Sequence, residues 1–264
     1  MTRTYFPLAP SLWAATAVEA PPSEPLAQDM QADVVIVGAG FCGLSTALHL
    51  AEQGVRVVVL EAQEVGFGGS GRNGGQVIPG LKYDPSELIA KLGADKAQPL
   101  IDFAAGTVDA VFNLIDKHQM DVPRVRNGWI QGSHTPAALK LAERRVRDWN
   151  AQGVAARFLE RDETARLLGT DKYHGGWLDP RGGGIQPLSY ARGLARAALA
   201  AGVQIYTRSP VTELKNSGGK WQVKTAQGCQ VSAERVVLCT NGYTDNLWPS
   251  LRKTIIDANS FQIA

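Results

Sequence analysis

The sequence predicts an α/β fold in which a Rossmann-like parallel sheet, extended by a small antiparallel meander, is interrupted by a mostly helical insertion. Three observations predict it. Residues 34–37 are four successive β-branched residues, typical of a parallel strand buried on both faces. A glycine-rich turn at 38–43, a helical pattern and a second apolar run at 56–60 complete a βαβ unit. Strand and helix patterns of the same kind return after residue 182.

Composition excludes several classes of protein. Hydrophobic residues make up 44% of the 264, the usual share for a globular protein. Lys and Arg number 27 against 25 Asp and Glu, and a net charge of +2 without a basic run argues against a nucleic-acid partner. No apolar run approaches the roughly 18–20 residues of a membrane-spanning helix.

The cysteines and the first residues indicate the compartment. Cys42, Cys229 and Cys239 are widely spaced and odd in number, so we predict no disulfide framework and a reducing, cytoplasmic setting. Residues 1–31 lack the long apolar core of a secretory signal and contain five prolines. We expect them to form an extended or partly disordered surface arm.

The helical elements follow from apolar spacing. The first helix is predicted at 44–53, ended by Gly54. A helical texture dominates 84–170, broken by a short strand at 128–132, and Thr135 followed by Pro136 is predicted to cap a further helix. The residues expected to bury one face of the long helix before that strand are Leu100, Ala104, Val108, Val111, Phe112 and Ile115.

The second half returns to the sheet. A helix at 188–201 leads to a strand at 203–207, then to a meander at 211–214, 221–225 and 229–231 and a buried strand at 235–239. We therefore expect three parts. They are an N-terminal arm at 1–31, a sheet-containing domain at 32–80 and 182–245, and a partial, mostly helical domain at 81–181 and 246–264.

The glycine turn carries the first functional signal. Gly38 permits a tight turn out of the strand, Gly40 allows a pyrophosphate to approach the backbone, and Gly43 allows the helix to pack on the strand. The start of the following helix offers unpaired amides and partial positive charge to phosphates. The strand before the turn and the helix after it are the context that this motif requires.

Glu61 ends the second strand of the unit, 18 positions after Gly43. A carboxylate there can accept hydrogen bonds from both ribose hydroxyls of an adenosine, and it would repel a 2′-phosphate. NADP is therefore disfavoured.

A second glycine-rich loop at 66–76 separates FAD from NAD. A simple NAD domain has no need of such a loop directly after the acidic residue, and Arg72 and Asn73 bring fixed donors into it. Its backbone amides are expected to reach the second phosphate and the edge of the isoalloxazine ring.

These stretches carry a resemblance to a known family. The sequences at 34–62, 66–76, 175–214 and 235–244 resemble the FAD-dependent oxidases of the D-amino-acid oxidase and glycine oxidase family, and most of all the members that oxidise γ-glutamylputrescine. The resemblance implies further FAD contacts along the chain. They are Ser70, Arg72, Asn73, Gly74 and Gly75 at the phosphates and flavin ring, Val211 at the adenine, and Thr240, Asn241 and Gly242 where the returning strand ends.

The resemblance also implies the chemistry. A small amine or amino acid would be oxidised at its C–N bond to an imine, with molecular oxygen as acceptor and hydrogen peroxide as product. An electron carrier in place of oxygen, and a truncated, non-catalytic FAD-binding fragment, stay open as alternatives. The fragment is suggested by residues 260–264, which read as a strand cut short, because family members continue beyond this point.

Catalytic side chains are not predicted. The flavin performs the difficult step in such enzymes, so no obligatory acid–base pair is expected. The four histidines lack the spacing of a metal site. His174 and Trp177 are weak candidates for lining a pocket, with ordinary packing the stronger interpretation. Relatives often have His-Pro where this chain has Gln186 and Pro187, which argues against a role for an imidazole at this position.

Overall fold

The computed structural model describes residues 5–256 and residue 258, so the strand expected at 260–264 lies outside the described residues. The chain forms two compact units. The first comprises residues 1–74, 118–123 and 186–264, and the second comprises 75–117 and 124–185. The transitions between the two units lie at 74/75, 117/118, 123/124 and 185/186.

Eight α-helices are found among the described residues. They are α1 (Leu12–Thr16), α2 (Phe41–Ala51), α3 (Pro85–Leu92), α4 (Ala94–Lys117), α5 (Pro136–Ala151), α6 (Arg161–Leu168), α7 (Pro187–Ala200) and α8 (Pro249–Arg252). Short 3-10 turns occur at Gly69–Gly71 and Asn241–Tyr243.

Twelve strands are found in the same part of the chain. They are β1 (Met30–Val37), β2 (Val57–Leu60), β3 (Gln76–Val77), β4 (Arg124–Val125), β5 (Trp129–Ser133), β6 (Arg157–Leu159), β7 (Gly175–Asp179), β8 (Gly183–Ile185), β9 (Gln204–Tyr206), β10 (Val211–Ser217), β11 (Lys220–Thr225) and β12 (Gln230–Leu238).

The first unit is built on one six-stranded sheet in the order β10-β11-β12-β1-β2-β9. The strands from β12 to β9 are parallel, and β10, β11 and β12 form an antiparallel meander. This confirms the predicted sheet. One detail was wrong, because 229–231 and 235–239 are not separate strands. Strand β12 runs without a break, and it pairs with β11 over 230–233 and with β1 from 231 to 238.

Helix α2 begins earlier than predicted. It starts at Phe41 rather than at 44, so Gly43 lies in its first turn. The amide of Phe41 donates to Ser70 Oγ at 2.9 Å, which caps the helix from a loop 29 residues away. Gly54, with φ +79°, follows the end of the helix, as predicted.

The N-terminal arm is held on the first unit by α7 and β9. Trp13 and Val18 offer their carbonyl oxygens to Gln186 Nε2 at 2.8 Å and Arg192 Nη1 at 2.6 Å. Ser23 Oγ donates to the carbonyl of Ile205 at 2.8 Å. The arm therefore contributes α1 and a core side chain, Leu26, which is only 1% exposed.

The second unit contains helices α3–α6 and two small antiparallel sheets, ordered β3-β8-β4 and β5-β7-β6. Thr135 caps α5 as predicted, with Oγ1 accepting from the amide of Ala138 at 3.1 Å. The face predicted for α4 was wrong at one end, because Leu100 is 42% exposed whereas Ile101 is 1% exposed.

Candidate functional site

The parallel strands of the first unit bring three chain segments to one edge of the sheet. Val37 is in register with Leu60 on one side and with Leu238 on the other. Gly38, Glu61 and Cys239, the next residue in each case, therefore lie at the same level. The carboxyl ends of parallel strands are where α/β proteins bind nucleotides.

The glycines of the 38–43 turn are required by close contacts. Gly38 has φ +111°, and a Cβ placed there would lie 2.7 Å from the carbonyl oxygen of Cys239. At Gly43 a Cβ would lie 2.0 Å from the carbonyl oxygen of Gly38, and at Gly40 it would lie 2.8 Å from Ser70 Oγ. A side chain at any of these positions would collide with a neighbouring carbonyl oxygen or with the Ser70 hydroxyl.

The first turn of α2 presents unpaired amides. Phe41 is capped by Ser70, and the next amide with an acceptor is that of Leu44, which donates to the carbonyl of Gly40 at 3.0 Å. The amides of Cys42 and Gly43 between them have no acceptor among the described residues. A helix start with free amides and a positive dipole end fits a pyrophosphate.

Glu61 is fixed by the backbone around it. Its Oε2 accepts from the amide of Ala39 at 2.8 Å, and its Oε1 accepts from the amide of Gln63 at 2.9 Å. The bond to Ala39 links the carboxylate directly to the glycine turn. Ser209 donates its amide to the carbonyl of Glu61 at 2.8 Å, which brings the segment leading into β10 beside it.

The donors of the 66–76 loop hold the loop itself together. Arg72 Nε donates to the carbonyl of Phe67 at 2.7 Å, and its guanidinium lies 4.5 Å from the centre of the Phe67 ring. Asn73 Nδ2 donates to the carbonyls of Gly69 at 3.2 Å and Ser70 at 2.9 Å. These bonds give the loop a defined shape.

Two glycines of this loop have a packing role that was not foreseen. A Cβ at Gly66 would lie 2.8 Å from Ala191 Cβ, and one at Gly71 would lie 2.8 Å from Leu188 Cδ1. Both glycines are buried against α7. These two glycines therefore allow the loop to pack closely on α7.

The other residues predicted to contact FAD lie at the end of the 66–76 loop, at the start of β10 and directly after β12. Gly74 ends the first segment of the first unit, while Gly75 belongs to the second unit, where its carbonyl accepts from the amide of Ile185 at 2.8 Å. Val211 is the first residue of β10, is buried, and stands beside a bulge in the pairing with β11.

Thr240, Asn241 and Gly242 form the turn after β12. Thr240 Oγ1 is bonded to Thr244 Oγ1 at 2.7 Å, and Asn241 adopts φ +42°. The ring of Tyr243 lies 3.0 Å from the position of a Cβ on Gly68, so this turn meets the 66–76 loop. The structure thus gathers most of the residues predicted to bind FAD, and the fit supports a dinucleotide carrying a pyrophosphate.

The structure also shows the surroundings of Trp177 and Gln186, which the sequence analysis considered apart from the FAD contacts. Trp177 is 4% exposed, lies 5.5 Å from Trp129 ring to ring, and donates Nε1 to Gln131 Oε1 at 3.0 Å, which favours packing. Gln186 accepts from the amide of Ser189 at 2.7 Å and so caps α7. Within the described ranges, no cluster of His, Cys, Asp or Glu could hold a metal ion.

Sequence reasoning missed two features of the site. One is the amide of Ala39, which orients Glu61. The other is the approach of Cys42 Sγ and Cys239 Sγ to 3.7 Å, which no spacing rule could reveal because the two are 197 residues apart. Among the described residues, no helix is long and apolar enough to cross a membrane.

Comparison with known proteins places the chain in a family. The family model described as DAO, FAD dependent oxidoreductase, matches residues 33–263. A probable oxidoreductase of Haemophilus influenzae is 38% identical over 253 residues, and γ-glutamylputrescine oxidoreductase of Escherichia coli is 35% identical over 245 residues. The matches cover 91% and 92% of this chain, but only 57% of either relative.

Solved structures agree on the fold. An L-amino acid deaminase from Proteus myxofaciens, solved with anthranilate, superposes with a TM-score of 0.67 at 26% identity, covering 84% of this chain and 48% of that one. Glycine oxidase from Geobacillus kaustophilus gives the same TM-score at 23% identity, covering 81% and 56%. With the family match extending from the first strand of the glycine-turn unit to residue 263, the chain belongs to the DAO family of FAD-dependent oxidoreductases.

Proposed function

We propose that this chain is the FAD-binding portion of an oxidase that converts the C–N single bond of an amine or amino acid to an imine. Oxygen is the proposed acceptor, hydrogen peroxide the product, and a γ-glutamylputrescine-type amine the favoured substrate. The observation that carries the proposal is the joint arrangement of the glycine turn, the free amides of α2 and the oriented Glu61 carboxylate.

The chain's residues divide the work of holding the cofactor. The amides of Cys42 and Gly43 would bind the pyrophosphate, and Glu61 would accept from the adenosine ribose. When bound, FAD accepts the two electrons and the hydrogen released from the carbon next to the substrate nitrogen. The residues proposed to line FAD are Gly38, Gly40, Gly43, Glu61, Ser70, Arg72, Asn73, Gly74, Gly75, Val211, Thr240, Asn241 and Gly242.

The proposed domain roles follow from this assignment. FAD would be held chiefly by the segments within 32–80 and 182–245, and substrate contacts would come from 81–181 and 246–264. The amine specificity is supported by the E. coli relative, whose name states γ-glutamylputrescine as its substrate. The chain spans only 57% of the length of that relative. The oxidation proposed here is therefore assigned to the whole protein and not to this chain alone.

The test is a reduction and reoxidation experiment on the full-length protein loaded with FAD. Under anaerobic conditions we expect γ-glutamylputrescine to bleach the flavin absorbance faster than glycine, sarcosine or D-amino acids do. Admission of oxygen should restore the absorbance and release one peroxide per amine oxidised, measured with a peroxidase-coupled dye.

Each stage can fail separately. A protein that takes up no FAD contradicts the cofactor assignment. A yellow protein bleached by none of these compounds contradicts amine oxidation. Bleaching by an amine without reoxidation by oxygen would identify a dehydrogenase that passes its electrons to a carrier.

A further inference from the structure

Two thiols meet where the glycine turn faces the end of β12. Cys42 is the second residue of α2, and Cys239 directly follows β12. The Cys239 thiol donates to Cys42 Sγ across 3.7 Å. Both cysteines are free, as is the third cysteine, Cys229.

The pair is not a contact of the hydrophobic core. Cys42 is exposed and Cys239 is half-buried, so a small polar oxidant can reach the first sulfur directly. Burial, together with the hydrogen bond to Cys42, raises the pKa of Cys239 to about 12. Cys239 therefore stays protonated at neutral pH, and Cys42 is the sulfur that meets the oxidant.

The backbone holds Cys239 beside the glycine turn that leads into α2. The amide of Cys239 donates to the carbonyl of Val37 at 2.8 Å, and Cys239 Cβ lies 3.7 Å from the position of a Cβ on Gly38. A disulfide needs a sulfur separation of about 2.05 Å. The two sulfurs, now 3.7 Å apart, must therefore move closer for the bond to form.

We propose that Cys42 and Cys239 form a peroxide-sensitive dithiol that closes reversibly to a disulfide. Hydrogen peroxide oxidises the Cys42 thiol to a sulfenic acid and is reduced to water. Cys239 sulfur then attacks Cys42 sulfur, and the sulfenic hydroxyl leaves as a second water with the proton of the Cys239 thiol. The net change is two thiols and one peroxide to one disulfide and two waters.

The disulfide would join the helix start that receives the pyrophosphate to the end of the neighbouring strand. A closed loop of this length removes considerable entropy from the unfolded chain, so the oxidised form should also resist unfolding better. The proposal does not depend on the proposed function, because the oxidant can be supplied from outside. An amine oxidase reaction would nevertheless supply the same oxidant.

The experiment treats the fully reduced 264-residue chain with a small excess of hydrogen peroxide and counts thiols after denaturation. We expect the count to fall from three to one and dithiothreitol to restore it. Peptide mapping without reduction should identify one cross-linked peptide containing Cys42 and Cys239, lighter by two hydrogen atoms than the separate peptides.

The variants separate this pair from the third cysteine. Cys229→Ser should still lose two thiols, whereas Cys239→Ser should form no disulfide and should accumulate a dimedone-reactive sulfenic acid at Cys42. Should Cys42→Ser not fold, as judged by circular dichroism, Cys239→Ser and Cys229→Ser decide the matter. Three surviving thiols, a bridge involving Cys229, or oxidation that dithiothreitol does not reverse would overturn the proposal.

Discussion

At the scale of single residues, Gly43 shows how tightly the nucleotide turn is built. It lies in the first turn of α2, where a Cβ would come within 2.0 Å of the carbonyl oxygen of Gly38. That neighbour is backbone and cannot rotate away. The helix would have to move off β1, and the free amides of its first turn would move with it.

We predict that Gly43→Ala lowers the free energy of unfolding by about 1–3 kcal/mol and abolishes FAD binding, because a clash with backbone cannot be relieved by side-chain rotation. The matched control is Gly69→Ala, where no atom lies within 4 Å of the added carbon. It should change stability by no more than about 0.5 kcal/mol. Urea unfolding measures both, and equal effects would contradict the packing argument.

Glu61 offers a test of the ribose assignment. We predict that Glu61→Gln weakens FAD binding by about ten- to a hundredfold, because the charged acceptor of the ribose hydroxyls is lost. The control is Glu64→Gln, three residues along, where the carboxylate accepts instead from the Tyr5 hydroxyl. Titration of the apoprotein, followed by flavin fluorescence, should show normal affinity in the control. Normal affinity in Glu61→Gln would remove the assignment.

At the scale of elements, α2 depends on a cap that comes from the 66–76 loop. Its N-cap residue is Gly40, which has no side chain, so Ser70 supplies the missing acceptor. We predict that Ser70→Ala lowers the free energy of unfolding by about 1 kcal/mol, the usual effect of losing a cap. Ser11→Ala removes the cap of the five-residue α1 and should have a smaller effect in the same denaturation assay. The reverse order would contradict the proposed role of Ser70.

The end of β7 holds a buried ion pair in the second unit. Asp179 is fully buried and accepts from Arg181 Nη2 at 2.6 Å, and the guanidinium lies 4.3 Å from the centre of the Trp149 ring. We predict that Asp179→Asn lowers the unfolding free energy by about 3–5 kcal/mol, because it leaves the arginine charge without its partner. Glu163→Gln, which breaks a surface pair with Arg157, should cost no more than about 1 kcal/mol. Thermal and urea unfolding distinguish the two, and similar losses would be inconsistent with the burial argument.

At the scale of the whole molecule, the first unit is assembled from segments far apart in the chain. Val34 of β1 pairs in register with Arg235 of β12. Strand β12 separates β1 from the β10–β11 hairpin, so the sheet is not continuous until β12 is in place. Such long-range pairing makes folding of this unit dependent on a late part of the chain.

We predict that a chain ending at residue 228 is insoluble or unfolded and binds no FAD, because β1 would expose an apolar, unpaired edge. A chain ending at residue 256 retains β12 and α8 and should keep the circular dichroism of the 264-residue chain. Equal solubility and flavin uptake by both truncations would show that β12 is dispensable.

Much of this fold was predictable, for local reasons. The β1–α2–β2 unit follows from residues adjacent in sequence, so the strand pattern, the glycine turn and Glu61 could all be recognised together. The start of α2 was placed three residues late because its cap, Ser70, comes from another segment. Likewise β12 was divided in two because its residues 230–233 pair with β11, whereas its pairing with β1 extends from 231 to 238.

The sequence by itself determined the fold class, the nucleotide turn, the acidic residue after β2 and the family, because each depends on short-range spacing. Only the tertiary structure decided that Ala39 orients Glu61, that Gly66 and Gly71 serve packing on α7, and that Cys42 meets Cys239. These contacts join residues from 22 to 197 positions apart. The register of a folded sheet, rather than any local pattern, brings such residues together.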